Sequence, residues 1–423
     1  MSAFTVRAGL TPRFTSPPIG TGAEEIVTEE AAVGAPDSQN DAFTSVVKEG
    51  DLVGQGAAVA RSRNSTDICL VAPIAGRVAR VTELPGHKLQ EILLFREVDG
   101  GVRTHDLTEA DSESGLRRLM QGAGLWPLLR RRPFGGMPDH AETPAAIVVM
   151  AVDTRPFAPD PIQALCGREE AISRGLAALL TLTEGPVFVC RPDNRAFPWL
   201  GDSNDRLRAV QSGSRHPQGS AGIRIHQAFP AGLEAPVWDI HAEDVAALGE
   251  LLSTGQMPMM RLVHIAGEAL RDARSIRTHP GADLRQLTQR IVAPGPHVVM
   301  SGSPLDGHRS HWLRHRDRQV TVLRRETDAA RRPHWLLSAL TRSASVRPAI
   351  PTAALSQAFG AALPATPFIR ALGAGDDETA MKLGILSLLE EDVALADYVL
   401  SETGQVASQL RAMLDRIQSE YAA

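Results

Sequence analysis

Eight consecutive residues without a polar side chain, Ala145-Ala146-Ile147-Val148-Val149-Met150-Ala151-Val152, constrain this chain more than any other stretch. A bilayer span needs roughly 18 apolar residues or more, and a half-buried strand would alternate. The run therefore predicts a parallel strand buried on both faces. Such a strand needs helices to cover it. Residues 168–183 follow with helical spacing at Ala171, Ile172, Gly175, Leu176, Leu179 and Leu180. Strands at 186–190, 222–226 and 261–266 and a helix at 242–253 continue the alternation. This pattern predicts an α/β chain with a Rossmann-like parallel sheet, whose ligands lie beyond the carboxyl ends of the strands. No G-x-G-x-x-G joins a strand to a helix, so the usual glycine cradle for phosphate is missing.

At roughly 150 residues per domain, 423 residues suggest several domains. The first hundred residues read as short β segments separated by turns. Val47-Lys48-Glu49-Gly50-Asp51-Leu52-Val53-Gly54-Gln55-Gly56 and Ala72-Pro73-Ile74-Ala75-Gly76-Arg77-Val78 look like the two halves of a biotinyl/lipoyl-type β-sandwich. A carrier domain has its acceptor lysine on the hairpin between those halves. Here that span is Arg61-Ser62-Arg63-Asn64-Ser65-Thr66-Asp67, which leaves no seat for a swinging arm. Ile276-Arg277-Thr278-His279-Pro280-Gly281-Ala282-Asp283 and Val298-Val299-Met300-Ser301-Gly302-Ser303 suggest a small β-grasp (SLBB-like) module. Its helix should open near Ala282-Asp283, where a carboxylate suits the positive end. A strand is expected at 319–323, followed by helices at 378–389, 392–400 and 406–418. The expected domains are a lipoyl-like β-domain over 1–105, the Rossmann-like domain over 106–268, the β-grasp module over 269–328 and a helical C-terminal domain over 329–423.

With 43% hydrophobic and 22% charged residues the composition is that of a folded globular chain. The start, Met1 to Arg7, lacks a signal-peptide profile, and a chain neither secreted nor membrane-spanning is expected. Cys69, Cys166 and Cys190 are an odd, scattered set. They argue for the cytosol and against an iron–sulfur cluster held by this chain alone. A net charge of −5 disfavours nucleic acid. His216, His226, Asp239 and His241 lack any zinc-type spacing. His308, His311 and His315, among Arg309, Arg314, Arg316 and Arg318, read as a solvated basic loop. No G-x-S-x-G nucleophile appears, and Cys190 reads as core.

A series of short elements runs in a fixed order. Ser114-Gly115 precedes Gly124-Leu125-Trp126-Pro127-Leu128-Leu129-Arg130-Arg131-Arg132-Pro133-Phe134. Asp153-Thr154-Arg155-Pro156 with Asp160-Pro161 comes next, then His216-Pro217-Gln218-Gly219 with His226, Ser301-Gly302-Ser303, and Gly384 ahead of Glu390-Glu391-Asp392-Val393-Ala394-Leu395-Ala396. In this order they resemble the A subunit of the sodium-translocating NADH:quinone reductase over nearly the whole chain. More distantly they resemble the C subunit of the Rnf complex and the flavin-bearing NADH-oxidising subunit of complex I. The resemblance implies a peripheral subunit on the cytoplasmic face of the bacterial inner membrane, without catalysis of its own. Its partners would be the other subunits of the complex and a quinone such as ubiquinone. No cofactor would be bound by this chain, while NADH, FAD, FMN, iron–sulfur clusters and quinone would serve the assembled complex.

Departures from that pattern also carry information. The glycine-rich loop of the flavin-binding relatives is replaced by residues 129–134, and their C-terminal four-cysteine run is missing. Where the family's A subunit continues into a Cys-Pro-Gly-Lys turn, this chain has Tyr398-Val399-Leu400-Ser401-Glu402-Thr403-Gly404, and residues 347–367 form a shorter region than the family's. The alternatives are a soluble NADH or nucleotide-binding oxidoreductase and a paralogous adaptor subunit of another membrane redox complex. The expected ligand-contact residues, at the strand ends, are Arg130, Arg132, Phe134, Asp153, Thr154, Arg155 and His216. The arginines would donate to quinone carbonyl oxygens and Phe134 would offer an apolar face. The competing reading is that these residues shape the loop and meet a neighbouring subunit.

Overall fold

The computed structural model describes residues 8–35, 42–98, 100–193, 195, 197, 205–325, 353–400 and 404–421. Among them stand four sheets and a set of C-terminal helices, a mixed α/β architecture. The central sheet has five strands, β1 (Arg130–Arg132), β2 (Ala146–Met150), β3 (Val187–Pro192), β4 (Leu207–Ser212) and β5 (Val237–His241), in the order β4-β3-β2-β5-β1. β2 to β5 run parallel and β1 closes one edge antiparallel. The apolar run thus becomes β2, in the middle and buried throughout.

Side chains of a strand alternate between its faces. Ile147 and Val149 pack with Ile172, Leu176 and Val245 of helices α1 (Glu169–Leu179) and α3 (Ala242–Thr254). Ala146, Val148 and Met150 turn the other way, toward Ile225 of helix α2 (Ala221–Ala228). Each buried Val or Ile contributes about 1.5–3 kcal/mol.

α1 and α3 meet through glycines. A Cβ on Gly249 would lie 1.8 Å from the Ala171 carbonyl oxygen, and one on Gly175 would lie 2.0 Å from that of Val245. Backbone cannot yield as a flexible side chain can. We expect Gly249→Ala to destabilise this region by about 1–3 kcal/mol through forced separation of the helices. A thermal scan checks it, and an unchanged midpoint would mean that the pair parts freely.

Three sequence expectations are corrected here. Residues 222–226 form part of helix α2 rather than a strand. Gly222, Ile223, Arg224 and Ile225 are all buried because the helix is packed between the sheet and the C-terminal helices, and all-round burial erases the helical period. The strand Arg261–Ala266, β6, leaves the parallel sheet and joins a six-stranded one with β7 (Ala273–Thr278), β8 (His297–Ser301), β9 (His308–Arg309), β10 (Gln319–Arg324) and the early strand Ile19–Glu25. The helix read at 378–389 is broken, because Gly384 at φ 99° separates Asp377–Lys382 from a short turn at Ile385–Ser387.

In the six-stranded sheet Asp283 caps the helix Leu284–Thr288, its carboxylate accepting from Arg285 N at 2.8 Å. Before residue 97, a four-stranded sheet (Glu30–Gly34, Leu52–Val53, Gly76–Leu84, Lys88–Arg96) and a three-stranded sheet (Phe43–Ser45, Ala58–Ser62, Cys69–Val71) share a core through Val33, Ile92, Phe43 and Leu70. The C-terminal helices Ala353–Ala358, Ala365–Ala374, Asp377–Lys382, α4 (Glu390–Leu400) and α5 (Gln405–Tyr421) bury their own cluster around Phe359, Phe368, Leu389 and Leu410. The boundary expected at 328/329 lies outside the described residues, as do Ser401, Glu402 and Thr403 and the early part of the 347–367 region.

Candidate functional site

Beyond the end of β2 the chain turns at Asp153, whose carboxylate accepts from Arg155 N at 2.9 Å. Arg155 returns its guanidinium to the same carboxylate, Nη2 to Oδ2 at 2.6 Å, and reaches Asp306 with Nη1 at 3.3 Å. Asp306 in turn accepts from Ser303 Oγ. Thr154 Oγ1 lies 3.2 Å from His216 Nδ1 and accepts from Gly219 N at 2.9 Å. That approach requires glycine, since a Cβ on Gly219 would stand 2.5 Å from Thr154 N. Four of the seven expected residues, Asp153, Thr154, Arg155 and His216, are therefore one hydrogen-bonded group.

Burial would raise the carboxyl pKa of Asp153 and Asp306, but the charge of Arg155 outweighs it and holds both below their ordinary values. Burial pushes His216 down to about 4, against the opposing pull of Asp153 and Asp306. At neutral pH the imidazole is uncharged. Arg155 keeps 26% of its side chain exposed. Phe157, two residues on at φ 68°, lies edge-on to Phe14 at 6.3 Å, and Phe14 lies 5.6 Å from Tyr398. Sequence reasoning missed this aromatic trio, whose members come from three distant segments.

The other three expected residues lie elsewhere. Strand alternation points Arg130 and Arg132 toward the C-terminal helices and sends Arg131 the opposite way, to Glu142 at 2.7 Å. Arg130 pairs with Glu391 at 2.9 Å. Arg132 is fully buried, and each of its nitrogens has a protein acceptor: Nε the Ser387 carbonyl at 3.0 Å, Nη1 Asp239, and Nη2 Asp392 at 3.1 Å. Asp392 also accepts from Gly222 N and Leu389 N, both at 2.9 Å, so α4 supplies a cap for the start of α2. Phe134 is buried among the C-terminal helices at φ 79°, and its carbonyl accepts from Arg411 Nη1 at 2.8 Å. It presents no open apolar face, contrary to expectation, because the chain from β1 runs directly into that core.

A third group ties α3 to the six-stranded sheet. Arg318 meets Glu243 at 3.1 Å and Asp244 at 2.7 Å, while Glu243 accepts from Leu262 N at 3.0 Å. Burial opposes ionisation of Asp244, yet Arg318 and Arg261 hold its pKa at about 2. Arg316 reaches Asp239 at 3.3 Å. The expected basic loop at His308–Arg318 is thus partly an ion-paired seam, not a solvated one. His241 caps α3, accepting from Glu243 N at 3.1 Å, and the His226 ring packs against Gly384. Asp306, Glu243 and Asp244 give no local signal in the sequence, and Asp239 stands out there only beside His241, as a metal-type group that lacks the spacing. Glu391 and Asp392 stood inside a quoted element without an assigned role.

Among the described residues no cluster of three or more His, Cys, Asp or Glu is arranged to hold a metal ion, and no helix is long and apolar enough to cross a membrane. Residues 111–257 match the family model described as NqrA second alpha/beta domain, and residues 262–311 match the one described as NQRA C-terminal domain. Among curated proteins, the A subunit of the Na(+)-translocating NADH-quinone reductase from Alcanivorax borkumensis is 31% identical over 89% of this chain and 91% of its own. The A subunits of the same name from Pasteurella multocida and Marinomonas sp. are each 30% identical, over 88% and 95% of this chain and 90% and 97% of theirs. Among solved structures, a chain of an NAD+-reducing [NiFe]-hydrogenase aligns over 72% of this chain and 63% of its own, at a TM-score of 0.37 and 12% identity.

Proposed function

The chain belongs to the family of A subunits of the Na(+)-translocating NADH-quinone reductase, and from that premise we propose that it is the cofactor-free peripheral subunit of such a complex. The carrying observation is identity of about 31% spread over about 90% of both chains. The chain is accordingly part of an oxidoreductase assembly and works with other subunits. Attachment would come through protein surfaces on the cytoplasmic face of the inner membrane. NADH, FAD, FMN and iron–sulfur clusters would be carried by its partners.

Four modules make up our reading of the chain: a biotinyl/lipoyl-like sandwich to about residue 105, a Rossmann-like domain, a β-grasp module and a helical end from about residue 329. The second boundary is best drawn before Arg261 rather than at 268, because β6 pairs within the six-stranded sheet. For the sandwich reading, the supporting feature is a pair of small sheets with hairpin Ala58–Ser62/Cys69–Val71 at the carrier position.

Quinone contact, in this reading, falls at Asp153, Thr154, Arg155 and His216, with Phe157 in place of Phe134 as the apolar surface. Arg130 and Arg132 would instead tie the edge strand to the C-terminal helices. Arg155 keeps about a quarter of its side chain open beside its two aspartates, and a quinone carbonyl gaining negative charge on reduction would accept from that open edge. Arg155→Ala in the assembled complex is expected to lower quinone-dependent turnover by about tenfold, with Arg155→Lys intermediate and Phe157→Ala raising the apparent KM. Unchanged turnover with intact assembly would remove the site. Loss of assembly would assign these residues to a subunit interface.

A further inference from the structure

We infer that the cleft between the lysine-free hairpin and the helix Glu113–Gly122 is a binding site for a small multivalent anion of the phosphate class. The cleft holds about 350 Å³, within the range of small-molecule sites and too small for a folded partner element. Arg61 and Asp67 enter from the hairpin, Arg103 and His105 from the segment that follows the four-stranded sheet, and Arg118 from the helix.

Charge in this cleft is unspent. Arg132, Arg155 and Arg318 are each committed to buried carboxylates. Arg118 is paired with Glu109, whereas Arg61 and Arg103 have no ion pair among the described residues. Asp67 is the one carboxylate on the wall, so the balance stays positive on a chain whose net charge is −5. Guanidinium forks match phosphate oxygens in pairs.

His105 supplies a second, independent observation. Its Nε2 is buried and has no hydrogen-bond partner among the described residues. Its backbone N donates to the Gly255 carbonyl at 2.7 Å, which anchors the main chain there. Arg103 is held similarly, its N donating to the Gln55 carbonyl at 2.7 Å. Cys69 on the same wall is kept a neutral thiol by burial, so no thiolate competes for the arginines. Where a carrier domain would present a lysine, this hairpin forms one wall of an anion clamp.

The test is calorimetric titration of pyrophosphate into the purified full-length chain at constant ionic strength. Saturable binding at one site is expected. Joint Arg61→Gln and Arg103→Gln should weaken it by at least about tenfold, while joint Arg208→Gln and Arg290→Gln, at exposed positions elsewhere, should not. Asp67→Asn should tighten it severalfold, a gain that misfolding cannot produce. Absence of saturable binding, equal binding by the Arg61/Arg103 variant, or no tightening with Asp67→Asn would overturn the assignment. So would a hexaglutamate peptide that binds there more tightly than pyrophosphate, which would make the cleft a dock for an acidic segment.

Discussion

Arg132→Met is expected to be the most damaging single substitution in the molecule, costing about 3–5 kcal/mol, because it strands Asp392 as a buried carboxylate without a cation and leaves Asp239 with Arg316 alone. The loss reaches beyond the pair. Arg132 also donates to the Ser387 carbonyl, and Asp392 caps α2, so β1, α2 and α4 loosen together. Arg132→Lys keeps the charge but cannot serve three acceptors in one plane, and an intermediate loss is expected. Thermal unfolding followed by circular dichroism reads both. A methionine variant that melts with the parent would show that the C-terminal helices are held by apolar packing alone.

Acid should destabilise the chain before its arginine-paired Asp153, Asp244 and Asp306 titrate. His216 and His279 are almost fully buried, and burial lowers each pKa from an unfolded value near 6.5 to about 4. His279 Nδ1 donates to the Pro280 carbonyl at 2.9 Å and Nε2 accepts from Thr28 N at 3.3 Å, a pattern that only the neutral ring can make. Between pH 6.5 and 4 the unfolded chain binds protons that the native one refuses. Stability is therefore complete above about pH 6.5 and falls as pH drops toward 4, by about 3 kcal/mol for each histidine. Asp153, Asp244 and Asp306 have depressed native values, so their contribution is lost only at lower pH. Denaturant midpoints at pH 7, 6, 5 and 4 measure the slope, and His279→Gln should flatten it while lowering stability at pH 7. A midpoint constant across that window would contradict the account.

What the sequence revealed and what it hid differ by the range of the interactions involved. β2, α1 and α3 were legible because their apolar periods are local, and the cap at Asp283 because it acts two residues away. The corner Asp153-Thr154-Arg155 was legible as a strand end. Its hydrogen bond to His216 left no local signal, since 62 residues separate Thr154 from that ring. The fate of Arg132 was hidden because its acceptors lie 107 and 260 residues away. β6 reads correctly as a strand, but nothing in six residues says which sheet will take it. α2 failed for a different reason, because a whole turn, Gly222 to Ile225, is buried and so short a helix then shows no continuous polar stripe to mark its period.

The strand Ile19–Glu25 lies parallel to β7, and nearby the Ile26 carbonyl accepts from Thr278 Oγ1 across 252 residues of sequence. On the ribosome this strand emerges long before the partner it must join. At 5–20 residues per second, the wait is on the order of tens of seconds, during which the parallel sheet between them can fold and the early strand has no mate. Polar Thr21, Glu24 and Glu25 within an otherwise glycine- and alanine-containing strand leave it little apolar surface with which to aggregate meanwhile. The six-stranded sheet can thus close only once β7 has emerged, by recapture of one of the first segments made, and until then the early strand's edge is the one left unpaired.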